Sequence, residues 1–382
     1  MKKRLNGEGS IYKRKDGRWC ASYFDAEYKR HYVYGKTQKQ VKEKLKEKMN
    51  QDQNRSQEKD FGGDLLLQEW VYQYLETYKK NSLKESTYGS YMLTYRKHIL
   101  ESDIGVKVLN ALTIEDLQKY YNKKTAEGYN SKTVRHIDLL VSGALNMAVR
   151  LHYISENVAL YTVIPQKKKY ETAPLSVDHI QKIVNEAKEE KIYPIVLLGL
   201  LCGMRKGEIL GLRWDDVSFE QKQIHVRYSL CKIMDTHPNE EGHYITHYKI
   251  LEPKNKTSIR AIPMADAVYD ALLRHKKMQE AEKQAYKDVY NDQNLVFAEP
   301  DGSFIKQRQL NDQYHDLLSR YDIPQVRFHD LRHSFASMLL HEQVSIRTIQ
   351  DLLGHASITT SMDIYGHIAD DMKEEAVSKL KF

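Results

Sequence analysis

The spacing of apolar residues changes three times along the chain, and the changes divide it into modules. Over residues 9–35 it alternates. Ser10-Ile11-Tyr12-Lys13 leads to Asp16-Gly17, a pair favoured in tight hairpins, and then to Trp19-Cys20-Ala21-Ser22-Tyr23-Phe24. A third run, 29–34, ends at Gly35. The pattern predicts a three-stranded antiparallel sheet. A helix should follow, capped by Thr37, with Val41, Leu45 and Met49 at four-residue steps. Residues 51–63 are polar, close on Gly62-Gly63, and read as a linker.

Between 64 and 165 the period is helical. Leu66, Trp70, Tyr74 and Tyr78 mark one helix, and Tyr88, Tyr91 and Tyr95 after Ser86 mark a second. Thr113 opens a third, and Ser131 opens a long one through Ile137, Val141, Leu145 and Ala148. A Ser or Thr is expected as N-cap at each start. Aromatic stripes at this spacing read as core. Pro165-Gln166-Lys167-Lys168-Lys169-Tyr170 interrupts the pattern as a basic linker.

Beyond it a mostly helical domain is broken by strands at 224–228, 248–250 and 258–263. After Tyr365, Ile368, Met372, Ala376 and Leu380 recur among charged residues and predict one more amphipathic helix. Its apolar stripe has two fates, packing on its own domain or docking on a neighbouring subunit. The expected fold is mainly α with small β-sheets, in three domains: 1–60, 64–165 and 174–382.

Charge sharpens the division. The chain carries a net +7, yet residues 1–60 alone hold 17 Lys and Arg against nine Asp and Glu, a net of +8. The other 322 residues sum to −1. A basic terminal module is the electrostatic footprint of nucleic-acid binding, or else a solvated charged surface. Cys20, Cys202 and Cys231 form no Cys-x-x-Cys pair, which argues against a disulfide framework or a cysteine zinc site and suits a reducing cytoplasm. The basic N-terminus has no apolar stretch of signal-peptide type, and the longest apolar run, 195–202, is far short of a membrane span. The expectation is a cytoplasmic protein.

Four short stretches carry candidate chemistry. Gly203-Met204-Arg205-Lys206-Gly207-Glu208 follows a helix that is apolar all round; in isolation Arg205 is equally readable as a structural ion pair with Glu208. Pro253-Lys254-Asn255-Lys256-Thr257-Ser258-Ile259-Arg260 is a polar turn between strands, where lysines are usually solvated. His329-Asp330-Leu331-Arg332-His333 spaces two histidines as in a zinc-protease helix, but Asp330 stands where that motif needs Glu, and Arg332 would repel a dication. Leu353-Gly354-His355 precedes Tyr365 by about ten residues, and Tyr365 is one of 27 tyrosines.

In this order Arg205, Lys254, His329, Arg332, His355 and Tyr365 resemble the catalytic residues of the tyrosine recombinases, the phage-type integrases. Gly203-x-Arg205-x-x-Glu208 and the run from His329 through Ala336 are the most characteristic parts. The helical 64–165 segment looks like the family's core-binding domain. The N-terminal sheet and helix resemble the arm-binding domain of integrases from conjugative transposons and integrative conjugative elements.

The resemblance implies that Tyr365 attacks phosphorus to give a 3′-phosphotyrosine and a free 5′-hydroxyl. Arg205 and Arg332 would clamp the non-bridging oxygens, as a guanidinium fork does well, and His355 would add a donor. A phenol is poorly ionised at neutral pH, so nearby guanidiniums and His329 as proton acceptor would activate it. Lys254, with Lys256 as a rival, would protonate the leaving oxygen, while Glu208 and His333 would support the site. Exchange of one phosphodiester for another conserves bond energy, so no ATP, metal or cofactor is expected. The implied partners are double-stranded DNA at core-type and arm-type sites, further copies in a tetramer joined through the C-terminal tail, and an accessory DNA-bending or excision protein. The implied setting is a bacterial nucleoid. Two other readings are a type IB topoisomerase with the same tyrosine chemistry, and a non-catalytic DNA-binding regulator that retains the fold.

Overall fold

A computed structural model describes residues 10–14, 17–24, 30–58, 63–165, 174–235, 245–253 and 256–354. The N-terminal alternation forms β1 (Ser10–Lys13), β2 (Trp19–Phe24) and β3 (Arg30–Gly35), antiparallel in that order, with Ala21 opposite both Ile11 and Val33. Period two sends Ala21 and Tyr23 to one face, where they pack with Val41 and Leu45 of α1 (Gln38–Glu58). Tyr12, Tyr32 and Tyr34 remain exposed. Helix α1 runs into the stretch expected as a linker. Residues 51–58 contain neither Gly nor Pro, so nothing in them stops a helix before Gly62-Gly63.

The helical segment comprises α2 (Leu67–Tyr74), prolonged by a π turn over Leu75–Lys79, then α3 (Glu85–His98), α4 (Ile114–Ala126) and α5 (Ser131–Arg150). Trp70, Tyr74, Tyr88 and Tyr95 are buried, as core stripes should be, while Tyr78 is exposed. The Trp70 indole donates to the Ala144 carbonyl at 2.8 Å, which removes the one polar cost of burying it. Thr113 caps α4 as expected, exchanging hydrogen bonds with Asp116. Elsewhere the expected caps are replaced. Asn130, one residue before Ser131, accepts from Thr133 N, and the N-cap of α2 is Leu66, whose N–H is met by the Glu69 carboxylate.

The second half begins with α6 (Val177–Glu186), α7 (Tyr193–Leu201) and α8 (Lys206–Leu210). Strands β4 (Val217–Ser218), β5 (Gln223–Val226), β6 (Ser229–Met234), β7 (Thr246–Leu251) and β8 (Arg260–Pro263) follow. Helices α9 (Asp266–Ala285), α10 (Gln307–Arg320), α11 (Asp330–His341) and α12 (Ile346–Leu353) complete the described chain. Among the described residues β5 lies between β4 and β8, and β6 pairs only with β7. The strands flanking the lysine turn, β7 and β8, therefore belong to different sheets. β6 was not legible because its buried Leu230 and Ile233 are three apart and break the alternation. Helix α7 is buried from Tyr193 through Leu200, and α11 crosses it where Gly199 faces Leu331.

The chain divides into two compact units, Met1–Leu83 with Tyr91–Lys167, and Lys84–Ser90 with Lys168–Phe382. Among the described residues no helix is long and apolar enough to cross a membrane.

Candidate active site

The site is organised by the ends of two helices. Helix α7 stops at Gly203, which takes the left-handed φ of +60°, a conformation cheap only for glycine. Any side chain there would also collide with Phe335 and Leu353, since a Cβ would lie 2.5 and 2.8 Å from their carbons. The reversal lets Met204 N donate to Leu198 O and delivers Arg205 to the start of α8. Helix α12 stops in the same way at Gly354, with φ of +64°. A Cβ on Gly354 would meet Thr257 O at 3.0 Å, so the end of α12 rests on the turn that follows Lys254-Asn255.

Carbonyls at a helix C-terminus lack intrahelical donors and carry the negative end of the helix dipole. Here three consecutive ones are taken by three arginines. Leu352 O accepts from Arg260 Nε at 2.6 Å, Leu353 O accepts from Arg332 Nη2, and Gly354 O lies 3.5 Å from Arg205 Nη2. Arg332 also donates through Nη1 to Gly203 O, so one guanidinium ties the exits of α7 and α12 together. Arg332 is only 3% exposed, whereas the Arg205 side chain is 35% exposed.

Glu208 lies beneath them, buried, and both its oxygens are used. It accepts from Arg205 N at 2.9 Å and Arg205 Nη1 at 2.7 Å, and from Arg260 at 3.2 and 2.9 Å. Burial would raise its pKa. The charges and hydrogen bonds of Arg260 and Arg205 outweigh that and bring it down to about 2. The ion pair considered for Arg205 and Glu208 thus exists, and it still leaves Arg205 partly open. Arg260 was missed as a site residue. One signal was available: on β8 it shares the parity of buried Ile262, so its side chain had to find a partner inside.

His329 and His333 sit at the start of α11 with their rings edge to face, centroids 5.2 Å apart. Loss of solvent around the ring, then the electrostatic influence of His333, Arg332 and Arg205, bring the His329 pKa down to about 4. It is therefore neutral at physiological pH. Burial likewise lowers the pKa of His333, whose Nδ1 has no hydrogen-bond partner among the described residues. Asp330 is held by Arg327, and Ser334 Oγ bridges Asp330 O and Leu175 N. These bonds fix the first turn of α11 and hence the direction of Arg332. Lys254, His355, Tyr365 and the predicted tail helix lie outside the described residues, and Lys256 begins a short 3-10 turn.

The mostly helical second half, with its paired glycine-stopped helices and buried arginines, has the fold of the tyrosine recombinases. The chain resembles a solved Tn1549 transposon integrase in complex with transposon right end DNA, with a TM-score of 0.67 and 19% identity over 83% of this chain and 99% of that one. A lambda integrase dimer bound to a core site aligns at a TM-score of 0.58 and 16% identity, over 95% of this chain and 96% of that one. Residues 174–372 match the phage integrase family, and residues 66–125 match a phage integrase N-terminal SAM-like domain. A "Tyrosine recombinase XerC-like" protein of Caldanaerobacter subterraneus subsp. tengcongensis is 32% identical over 91% of this chain and 90% of its own length. The "Transposase from transposon Tn916" of Enterococcus faecalis is 22% identical over 99% and 96%. The chain belongs to the phage integrase family. Its activity is accordingly the cleavage and rejoining of DNA strands, and neither the topoisomerase nor the regulator reading finds support.

Proposed function

We propose that Tyr365 is the nucleophile of site-specific integration and excision of a mobile element, acting within the set Arg205, Lys254, His329, Arg332 and His355. The Tyr365 oxygen attacks phosphorus, the bond to the 5′-oxygen breaks, and a 3′-phosphotyrosine remains. His329 accepts the phenolic proton, Lys254 gives one to the 5′-oxygen, and attack by the 5′-hydroxyl of a second strand reverses the step. Arg205, Arg332 and His355 hold the non-bridging oxygens, with Glu208 and His333 supporting them.

The observation that supports this reading is the gathering of Arg205 and Arg332 on the last carbonyls of α12, one residue before His355, with a neutral His329 beside them. Cations fixed in this way need no reorganisation when charge develops on a bound phosphate. A neutral imidazole is the form that accepts a proton.

The partner on this reading is duplex DNA. The Tn1549 integrase binds transposon-end DNA, and lambda integrase binds a core site as a dimer and a Holliday junction as a tetramer. A tetramer on paired sites is the corresponding assembly here, with the tail after Tyr365 docking between subunits. The 1–60 module is assigned to arm-type sites. Its support is the net +8 charge and the exposed face of Tyr12, Tyr32 and Tyr34, with Arg14 over the Tyr34 ring.

Tyr365→Phe tests the chemistry. On a nicked duplex from the ends of its own element the variant should bind as the parent does and form no covalent adduct. An adduct formed by the Phe variant removes Tyr365 as nucleophile.

A further inference from the structure

We propose that Arg260 is a positioning residue for strand cleavage, aligning Arg205 through Glu208 and fixing the end of α12. The inference rests on the reading of Arg205 as a phosphate clamp.

Arg260 opens β8, directly after the lysine turn, and its side chain is only 5% exposed. Among the described residues each of its hydrogen bonds reaches a segment of the site. Nη1 and Nη2 meet the two Glu208 oxygens, Nη1 also meets Ser258 O at 3.0 Å in the turn, and Nε meets Leu352 O. Its Cδ lies against Gly354, at 3.1 Å from where a Cβ would stand. One planar fork thus spans the lysine turn, the carboxylate that orients Arg205, and the helix end that leads to His355.

The geometry needs two cations on one carboxylate. With Arg260 absent, Glu208 would have no cation but Arg205, whose guanidinium could then draw inward over the carboxylate and away from a substrate. With Arg260 in place, one edge of Glu208 is occupied and Arg205 stays 35% exposed. Lysine at 260 keeps the charge but cannot hold Glu208, Ser258 O and Leu352 O together, because it lacks the fork.

The test compares Arg260→Lys with Arg205→Lys in the full chain, on nicked element-end duplexes with either a normal scissile phosphate or a methylphosphonate. The methyl group replaces a charged non-bridging oxygen, so a defect in cation placement should matter less on it. Both variants are expected to form covalent adduct at least tenfold more slowly on the phosphate, and to recover at least part of that loss on the methylphosphonate. Removing one partner of a buried pair destabilises a fold, so Arg260→Met with Glu208→Gln, which leaves no unpaired buried charge, is measured alongside with its thermal unfolding. It should unfold near the parental temperature and show the same substrate-dependent loss. A near-parental rate for Arg260→Lys beside an impaired Arg205→Lys overturns the proposal, and so does an equal deficit on both substrates. An unimpaired Arg205→Lys overturns instead the reading on which it rests.

Discussion

Arg332 donates a hydrogen bond to the carbonyl oxygen of Gly203, the residue whose left-handed backbone ends α7. The pair couples a backbone requirement to a guanidinium. The carbonyl faces Arg332 only while residue 203 keeps its positive φ, and Arg205, the N-cap of α8, follows two residues later.

Gly203→Ala should therefore cost both stability and cleavage. A left-handed alanine costs about 1–2 kcal/mol, and forcing its methyl against Phe335 and Leu353 adds about 1–3 kcal/mol. Denaturant unfolding should place the loss at a few kcal/mol, with slower adduct formation. A variant as stable as the parent would show that Phe335 and Leu353 yield freely.

Glu208 makes the site sensitive to acid. Its pKa falls from an ordinary 4.5 to about 2 on folding, so its contribution is full above pH 4.5 and is lost as pH drops toward 2. The linked stability is about 3 kcal/mol. Unfolding free energies of the parent should rise with pH between about 2 and 4.5 and lose that contribution again on acidification. Glu208→Gln should be less stable at pH 7 and lack that part of the slope. Parallel curves would mean that Glu208 is not held by its two arginines.

His329 titrates in the opposite sense of charge but with the same sign of linkage. Its folded pKa, about 4, lies below the free value of 6.5, so between these the unfolded chain holds a proton that the folded chain lacks. Stability from this group therefore rises with pH across that interval. Its ring resonance, assigned by difference from His329→Gln, should titrate near 4 in the free protein. In the Tyr365→Phe complex with element-end DNA the value should rise, because a phosphate beside the ring favours the imidazolium. An unchanged value on binding would place His329 away from the phosphate.

What the sequence made legible was local. Arg205 and Arg332 were readable because each stands in a short run of characteristic neighbours, and α7 because it is apolar on every side. The sheet of residues 10–35 was readable because its turns and alternation agree. Arg260 was not, since its partners Glu208 and Leu352 are 52 and 92 residues away and only the tertiary fold brings them together. The same holds for the three carbonyls of α12, whose role depends on which arginines reach them. The α1 extension and the Asn130 cap were missed for a smaller reason. A polar run without Gly or Pro is as compatible with helix as with linker, and adjacent Asn and Ser are rival caps.

The choice between Lys254 and Lys256 as proton donor can be decided by the leaving group. Thr257 and Ser258, which follow both lysines in the chain, pack on Gly354, which Arg260 also touches. A departing 5′-oxygen needs a proton, whereas a sulfur in its place leaves as a stable thiolate. If Lys254 is the donor, Lys254→Ala should slow adduct formation about 10²- to 10⁴-fold on the oxygen substrate, the usual range for a general acid. On the 5′-thio substrate it should react within a few-fold of the parent. Lys256→Ala should be near parental on both. The mirror result, with rescue confined to Lys256→Ala, would move the role two residues along the turn. Equal losses for Lys254→Ala on oxygen and sulfur would mean that Lys254 holds DNA or the turn and transfers no proton.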